Sequence, residues 1–297
     1  MPGYGGSTAN KRMEDYAQEK INLGMVALLE HLGRDKAVWI AGHDWGCGSV
    51  WTFAACYPDK CVAVCGMTVP YMFANLGADQ LMESVDRELY PASEYPYGQW
   101  SYMVFYQTNF DRATAFFDAD PTAVLRALYT KGSPEAVKRP AVTANVCKDG
   151  GWFGGTEKPN PGLRLIPSEH LSIDEETMTE LVRAMQKTGF YPADAWYMNN
   201  ARNRQYTLEK RRNDGVLTMP VLFVHAAYDP VCTSNKPKMS DEMRRNCKDL
   251  TECTIEAGHW VAEEKAEEVN AALAKWLVES VETYWPGKPL SKDKAVL

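Results

Sequence analysis

The feature that most constrains this chain is a five-residue turn, Gly42-His43-Asp44-Trp45-Gly46, placed between an apolar run and a helical pattern. Residues 38–41 (Val-Trp-Ile-Ala) read as a short strand apolar on both faces, and residues 49–57 read as a helix closed by Pro58. Glycines on both sides of the central carboxylate let a strand reverse into a helix within a few residues, because side chains at those two positions would meet neighbouring backbone. The central side chain then stands near a helix N-terminus, where the dipole and the free N–H groups favour an anion. The plainer alternative is an ordinary strand-to-helix turn with Asp44 as its N-cap.

The flanking pattern predicts an α/β fold. Met13, Tyr16, Ala17, Ile21, Met25, Leu28, Leu29 and Leu32 recur at helical spacing over residues 10–33, and Gly33 is a stop signal. Residues 61–67 read as a second buried strand. From Val69 the texture changes: residues 70–214 are rich in aromatics, with helices predicted at 77–90, 99–107, 111–117, 120–131, 173–188 and 192–210 and a loop over 148–155. Strand texture returns at 220–226, which runs into Asp229, and at 252–256, which runs into His259. Residues 262–285 predict an amphipathic helix carrying Val269, Leu273, Trp276, Leu277 and Val281 on one face, and the tail from Pro286 predicts fraying. The expected organisation is an α/β core over 1–69, a helical insertion over 70–214, and a second core part over 215–297.

Composition excludes several functions. Among 297 residues, 45% are hydrophobic and 24% charged, and the net charge of −7 comes with no basic block, which argues against nucleic acid as a partner. No apolar run reaches the roughly 18 residues of a membrane span, and the first residues lack the apolar stretch of a signal peptide. The eight cysteines form no C-x-x-C pair, so neither a zinc site nor a disulfide framework is expected, and they read as buried reduced thiols of a cytoplasmic protein. Only five histidines exist (31, 43, 170, 225 and 259), without an H-E-x-x-H motif. No metal and no other cofactor is expected.

The turn at 42–46 has the spacing of the nucleophile elbow G-x-S-x-G, with Asp44 in the serine's place. A carboxylate nucleophile forms an ester that a second step must hydrolyse. Asp229 and His259 follow in the chain order nucleophile, acid, histidine, each just beyond a strand. Loops at the C-terminal ends of parallel strands lie along one sheet edge, so the three can converge. His43 reads as a brace for the turn, and His225, inside an apolar strand, as a hydrogen-bonded core histidine.

These residues resemble the α/β-hydrolase fold and, within it, the epoxide hydrolases. The resemblance runs through PGYGGS at 2–7, IAGHDWG at 40–46, FVHAAYDPV at 223–231 and IEAGHWVAEEKAEEV at 255–269, and it extends into the insertion as that family's helical cap. It implies two cap tyrosines holding the epoxide oxygen: Tyr102 in WSYMVFYQ, with Tyr106 one turn away as its alternative, and Tyr197 in AWYMN. It also implies an oxyanion donor in the Trp45 N–H, substrate contacts from Trp45, Tyr106 and Trp196, further pocket lining by Trp100 and Trp260, and a small hydrophobic epoxide as substrate. A haloalkane dehalogenase is the nearest rival, since such enzymes also pair an elbow aspartate with a following tryptophan. The family's H-G-x-P loop, source of the second oxyanion donor, does not occur in this sequence. That leads to the expectation of an N-terminally truncated member, its sheet reduced to about four parallel strands with the Asp44 strand as a bare apolar edge. It also raises an inactive fragment as an alternative to an active enzyme.

Overall fold

The computed structural model describes residues 1–71 and 78–281. A 3₁₀ turn at Met13–Tyr16 leads into α1 (Gln18–His31), β1 (Ala37–His43), α2 (Trp45–Cys56) and β2 (Cys61–Met67). There follow α3 (Ala78–Glu83), α4 (Ser101–Ala119), α5 (Pro121–Leu128), α6 (Glu175–Thr188), α7 (Tyr191–Ala195) and α8 (Asn200–Lys210). The chain then returns through β3 (Leu217–Ala226), α9 (Pro237–Asn246), β4 (Cys247–Ile255), α10 (Val261–Glu264) and α11 (Ala266–Ser280). Among the described residues the strands form one parallel sheet in the order β1-β2-β3-β4.

Strand side chains alternate between faces, and the core divides accordingly. Val64, Val221 and Phe223 pack with Trp51 and Phe53 of α2 in the larger cluster. Their neighbours Ala63, Cys65, Met67, Leu222 and Val224 pack with Val269 and Trp276 of α11 in a second one. The sheet is thus covered on both faces, which is why its central strands read as continuous apolar runs. Every residue of α2 from Cys47 to Cys56 is buried, as a helix apolar all round must be. β1 is an edge strand, and Ile40 on it is 39% exposed. β4, the other edge, is buried only at its two ends, Cys247 and Ile255.

Between β2 and β3 the described residues carry helices, 3₁₀ turns and a single antiparallel bridge, Thr130 to Leu171. The helices predicted at 99–107 and 111–117 are one helix, α4, bent where Asn109 leaves helical geometry (φ −138°, ψ 36°). The helix predicted at 192–210 is broken into α7, a 3₁₀ turn at Trp196–Asn199, and α8. The helix expected from 49 begins four residues earlier, at Trp45, because the turn hands over to helix directly after Asp44. β4 starts at Cys247 rather than 252; its first residues are polar because they lie on the sheet edge. α9 has no counterpart in the sequence reading: its apolar stripe is only Met239 and Met243, one turn apart and both buried. The start of the predicted 77–90 helix, residues 282–285 and the tail from Pro286 lie outside the described residues.

Candidate active site

Asp44 is the single residue between β1 and α2. It sits at φ 49°, ψ −121°, a conformation that costs a non-glycine residue about 1–3 kcal/mol and persists only where the surroundings impose it. Gly42 shows how tight the turn is, since a Cβ there would lie 3.0 Å from the Cys65 carbonyl oxygen and 3.3 Å from Gly66 Cα. The Asp44 carboxylate makes no capping hydrogen bond to α2, so the plain N-cap reading does not describe it. It faces His259 instead, with Oδ1 3.5 Å from Nε2.

His259 is oriented from behind. Its Nδ1 lies 2.8 Å from Asp229 Oδ2. The other oxygen of Asp229 accepts the backbone N–H groups of Val231 and Cys232, both at 2.9 Å. Burial alone would make Asp229 harder to ionise, but the His259 charge and these hydrogen bonds hold it below the usual carboxylate range. Burial likewise works against a charged His259. Asp229, and after it Asp44, outweigh that and raise the imidazole to about 9. His43 braces this arrangement across the sheet edge: its Nε2–H donates to the His259 carbonyl at 2.7 Å, and the two rings lie 5.0 Å apart. Burial, then the charge of His259, lowers the His43 pKa.

The insertion supplies the opposite wall. Tyr102 on α4 and Tyr197 on the 3₁₀ turn after α7 meet edge-to-face at 5.4 Å. Both phenols are pushed far up by burial, and the Asp44 charge pushes in the same direction. They stay neutral and keep their protons to donate. The Trp45 indole lies edge-on to Tyr197 at 5.5 Å. Tyr106 stacks on Tyr197 at 4.9 Å, and its hydroxyl favours the charged form of Asp194. Trp196 packs with Tyr16, Ile21, Phe110 and Ala195 in a cluster separate from the one that holds Trp45, Tyr102 and Tyr197. The 3₁₀ turn sends adjacent side chains in different directions, so Tyr197 and Trp196 part company. Trp260 stacks on Tyr129 at 3.8 Å, and its indole N–H donates to the Leu128 carbonyl at 2.7 Å. His225 is the core histidine expected, between Ser234 and Glu252.

Three features escaped the sequence reading. Cys232 is 1% exposed, and its Sγ lies 4.0 Å from Asp44 Oδ1; the signal was its place three residues after the acid, Asp229. Asp194 is a buried carboxyl accepting from Thr114 Oγ1 at 2.9 Å, and an aspartate between alanines just before Trp196-Tyr197 carried little signal. Glu264 accepts the backbone N–H groups of Gly132 and Gly258, at 3.0 and 3.1 Å. Those two glycines touch backbone to backbone, and a Cβ on Gly132 would fall 2.2 Å from Gly258 Cα. The cysteines are all free, as expected, although Cys147 and Cys253 are only half-buried.

The chain has the α/β-hydrolase fold, and a sequence profile of the alpha/beta hydrolase fold matches residues 1–114. Within that fold, sequence and structure resemble the epoxide hydrolases. It is 30% identical over 279 residues to bifunctional epoxide hydrolase 2 of Sus scrofa, covering 93% of this chain and 45% of that one. It is 27% identical over 277 residues to epoxide hydrolase A of Mycobacterium tuberculosis, covering 93% of this chain and 79% of that one. The chain spans about half the length of the bifunctional mammalian relatives. The crystal structure of epoxide hydrolase A from Mycobacterium thermoresistibile superposes with a TM-score of 0.70 at 28% identity, covering 93% of this chain and 80% of that one. Among the described residues, no helix is long and apolar enough to cross a membrane.

Proposed function

We propose that this chain hydrolyses small hydrophobic epoxides to vicinal diols through an ester of Asp44. The observation that carries the proposal is the facing pair of walls: a carboxylate backed by a histidine–aspartate pair on one side, two neutral, buried tyrosine hydroxyls on the other. Residues 1–69 and 215–297 act as the hydrolase core and residues 70–214 as a cap that brings the tyrosines. Asp44 attacks one epoxide carbon while the ring C–O bond breaks. Tyr102 and Tyr197 donate to the leaving oxygen, and one of them gives up its proton as the alkoxide forms.

The ester changes the electrostatics behind it. Once alkylated, Asp44 no longer carries the negative charge that helps keep His259 protonated, so the imidazole loses its proton more readily. Neutral His259, held by Asp229, then takes a proton from water as the hydroxide adds to the ester carbonyl. The Trp45 N–H, at the start of α2, donates to the oxyanion. Collapse of the tetrahedral intermediate releases the diol and restores the Asp44 carboxylate, and the proton held by His259 returns to the tyrosinate. Neither a metal nor another cofactor takes part. Eight free cysteines fit a reducing compartment such as the cytoplasm.

The tyrosine wall favours an epoxide over a haloalkane, because Tyr102 and Tyr197 keep their protons beside Asp44 and can give one to a ring-opening oxygen, which a departing halide does not need. Styrene oxide and 1-bromobutane offered separately test this. Diol from the first and no bromide from the second is the expected result; bromide release without diol formation overturns the proposal.

A further inference from the structure

We propose that Asp44, Cys232 and His259 form a binding site for a thiophilic divalent cation, Zn²⁺ above all, whose occupancy shuts the catalytic site. One carboxylate oxygen, one thiol sulfur and one imidazole nitrogen of these residues lie within 4.8 Å of one another. The Asp44 Oδ1 to His259 Nε2 distance is 3.5 Å and the Asp44 Oδ1 to Cys232 Sγ distance is 4.0 Å. Ligand atoms around a tetrahedral ion with bonds of about 2.0–2.3 Å stand roughly 3.3–3.8 Å apart. Small side-chain rotations bring this triangle to that size, with a fourth position left for water.

The surroundings of the triangle have the form of a built metal site. A histidine that binds a metal through one ring nitrogen donates the other to a carboxylate, which fixes the ring. Asp229 does this at Nδ1, leaving Nε2 turned to the cluster, and the same Asp229 accepts the Cys232 backbone N–H. One carboxylate therefore holds two of the three ligands. Cys232 itself is 1% exposed, while the His259 and Asp44 side chains are 23% and 26% exposed, so an ion enters over them and meets the thiol last.

Ligand type decides which ions bind. A set with one sulfur, one nitrogen and one oxygen suits Zn²⁺ or Cd²⁺ and does not suit Mg²⁺ or Ca²⁺, which take six or more oxygens. The exchange also balances in charge. The ion enters as a dication while the Cys232 thiol proton and the Nε2 proton of the His259 imidazolium leave to solvent, so the net charge of the site is unchanged. The bound ion occupies the nucleophile and the base at once. It is an inhibitor, not a participant in hydrolysis.

The cation site rests on geometry independent of the substrate, so its test separates from that of the proposed hydrolysis. The whole chain, stripped with a chelator, is titrated with Co²⁺ and followed by absorption. The expected result is a thiolate-to-cobalt charge-transfer band in the wild type that is missing in Cys232→Ala and in Cys232→Ser. Diol formation by the wild type is then titrated with ZnCl₂. Inhibition, read against each protein's own metal-free turnover, shifts to at least about tenfold higher Zn²⁺ in both variants, and MgCl₂ does nothing. Absence of the cobalt band from the wild type overturns the proposal, as does equal Zn²⁺ sensitivity of the wild type and the variants. If no epoxide is turned over, the cobalt spectra still decide the cation site. Two variants guard against a single misfolded one.

Discussion

The two walls of the site are built differently. On the strand-end side, each functional group is held by charged hydrogen bonds: Asp229 accepts from His259, Val231 and Cys232, and His43 holds the His259 carbonyl. On the insertion side, Tyr102, Tyr106 and Tyr197 are held by ring packing at 4.9–6.1 Å. In the proposed reaction the first wall directs proton movement and the second holds the epoxide oxygen. They are fastened together near residues 128–132, where Tyr129 stacks on Trp260, Leu128 accepts its indole N–H and Glu264 bridges Gly132 to Gly258. Tyr90 and Gln99 of the insertion also reach the acid's loop, donating to the carbonyls of Pro230 and Val231.

Removing the nucleophile should have the largest effect. Asp44→Ala is expected to lower diol formation by about 10⁴-fold or more, the scale seen when a nucleophile is deleted, measured as turnover of styrene oxide. His259→Gln keeps the nucleophile and loses the base, with an expected loss of about 10²–10⁴-fold. It should also accumulate protein heavier by one substrate mass, with the adduct on the peptide carrying Asp44 by mass spectrometry. An unmodified His259→Gln protein would contradict the ester. On the other wall, Tyr197→Phe or Tyr102→Phe removes one donor to the alkoxide and is expected to cut kcat/KM by about 10²–10³-fold, without trapped ester, because the first step is the one slowed. That split, ester trapped on one side and not on the other, is the sharpest test of the division of labour.

The fastening between the walls comes next in size. Gly132→Ala pushes a Cβ into Gly258 Cα at 2.2 Å, so the backbone of one loop must move. The expected cost is about 1–3 kcal/mol, seen as a thermal midpoint lower by several degrees. Turnover should fall as well, because Gly258 directly precedes His259. Retention of both would mean that the contact is not what registers the insertion on the core.

The strand-end wall was legible in the sequence because its residues are tied to elements that sequence pattern reveals well. Asp44, Asp229 and His259 each follow an apolar run by a few residues, and parallel strands must deliver such residues to one edge. Two glycines marked the turn itself. The insertion was legible in outline only. Its helices are short and bent, with the break at Asn109 and the 3₁₀ turn at Trp196–Asn199 set by tertiary packing rather than by local breakers. Adjacent aromatics such as Trp196 and Tyr197 have the same composition signal and opposite destinations, one in the cluster beside α1 and the other against Trp45. Cys232 and Asp194 went unrecognised because a lone thiol or a lone carboxyl announces nothing until the fold gives it neighbours.

Asp194 offers the smallest and most discriminating test of the packed wall. It is 3% exposed, and burial raises its carboxyl to about 8 although hydrogen bonds from Thr114 and Tyr106 favour the charge. The titratable groups acting on it are Tyr106 and Asp118 of α4 and Tyr4 of the opening turn; the 3₁₀ turn packed against α7 adds Glu14, Asp15 and Tyr16. In the unfolded chain an aspartate titrates near about 3.9. Between that pH and about 8 the native protein keeps a proton that the unfolded chain has released, so stability falls as pH rises through this window and levels off above it. Asp194→Asn has no proton to lose. Its thermal midpoint relative to the wild type is therefore expected to improve steadily from pH 5 to pH 8, read by calorimetry in matched buffers. Tyr106→Phe removes a hydrogen bond that favours the carboxylate, so the wild-type decline should continue to higher pH in that variant. Its turnover should drop by less than tenfold, because the proposed donors to the reacting oxygen are Tyr102 and Tyr197. A loss as large as that of Tyr197→Phe would place Tyr106 among the donors and redraw the wall.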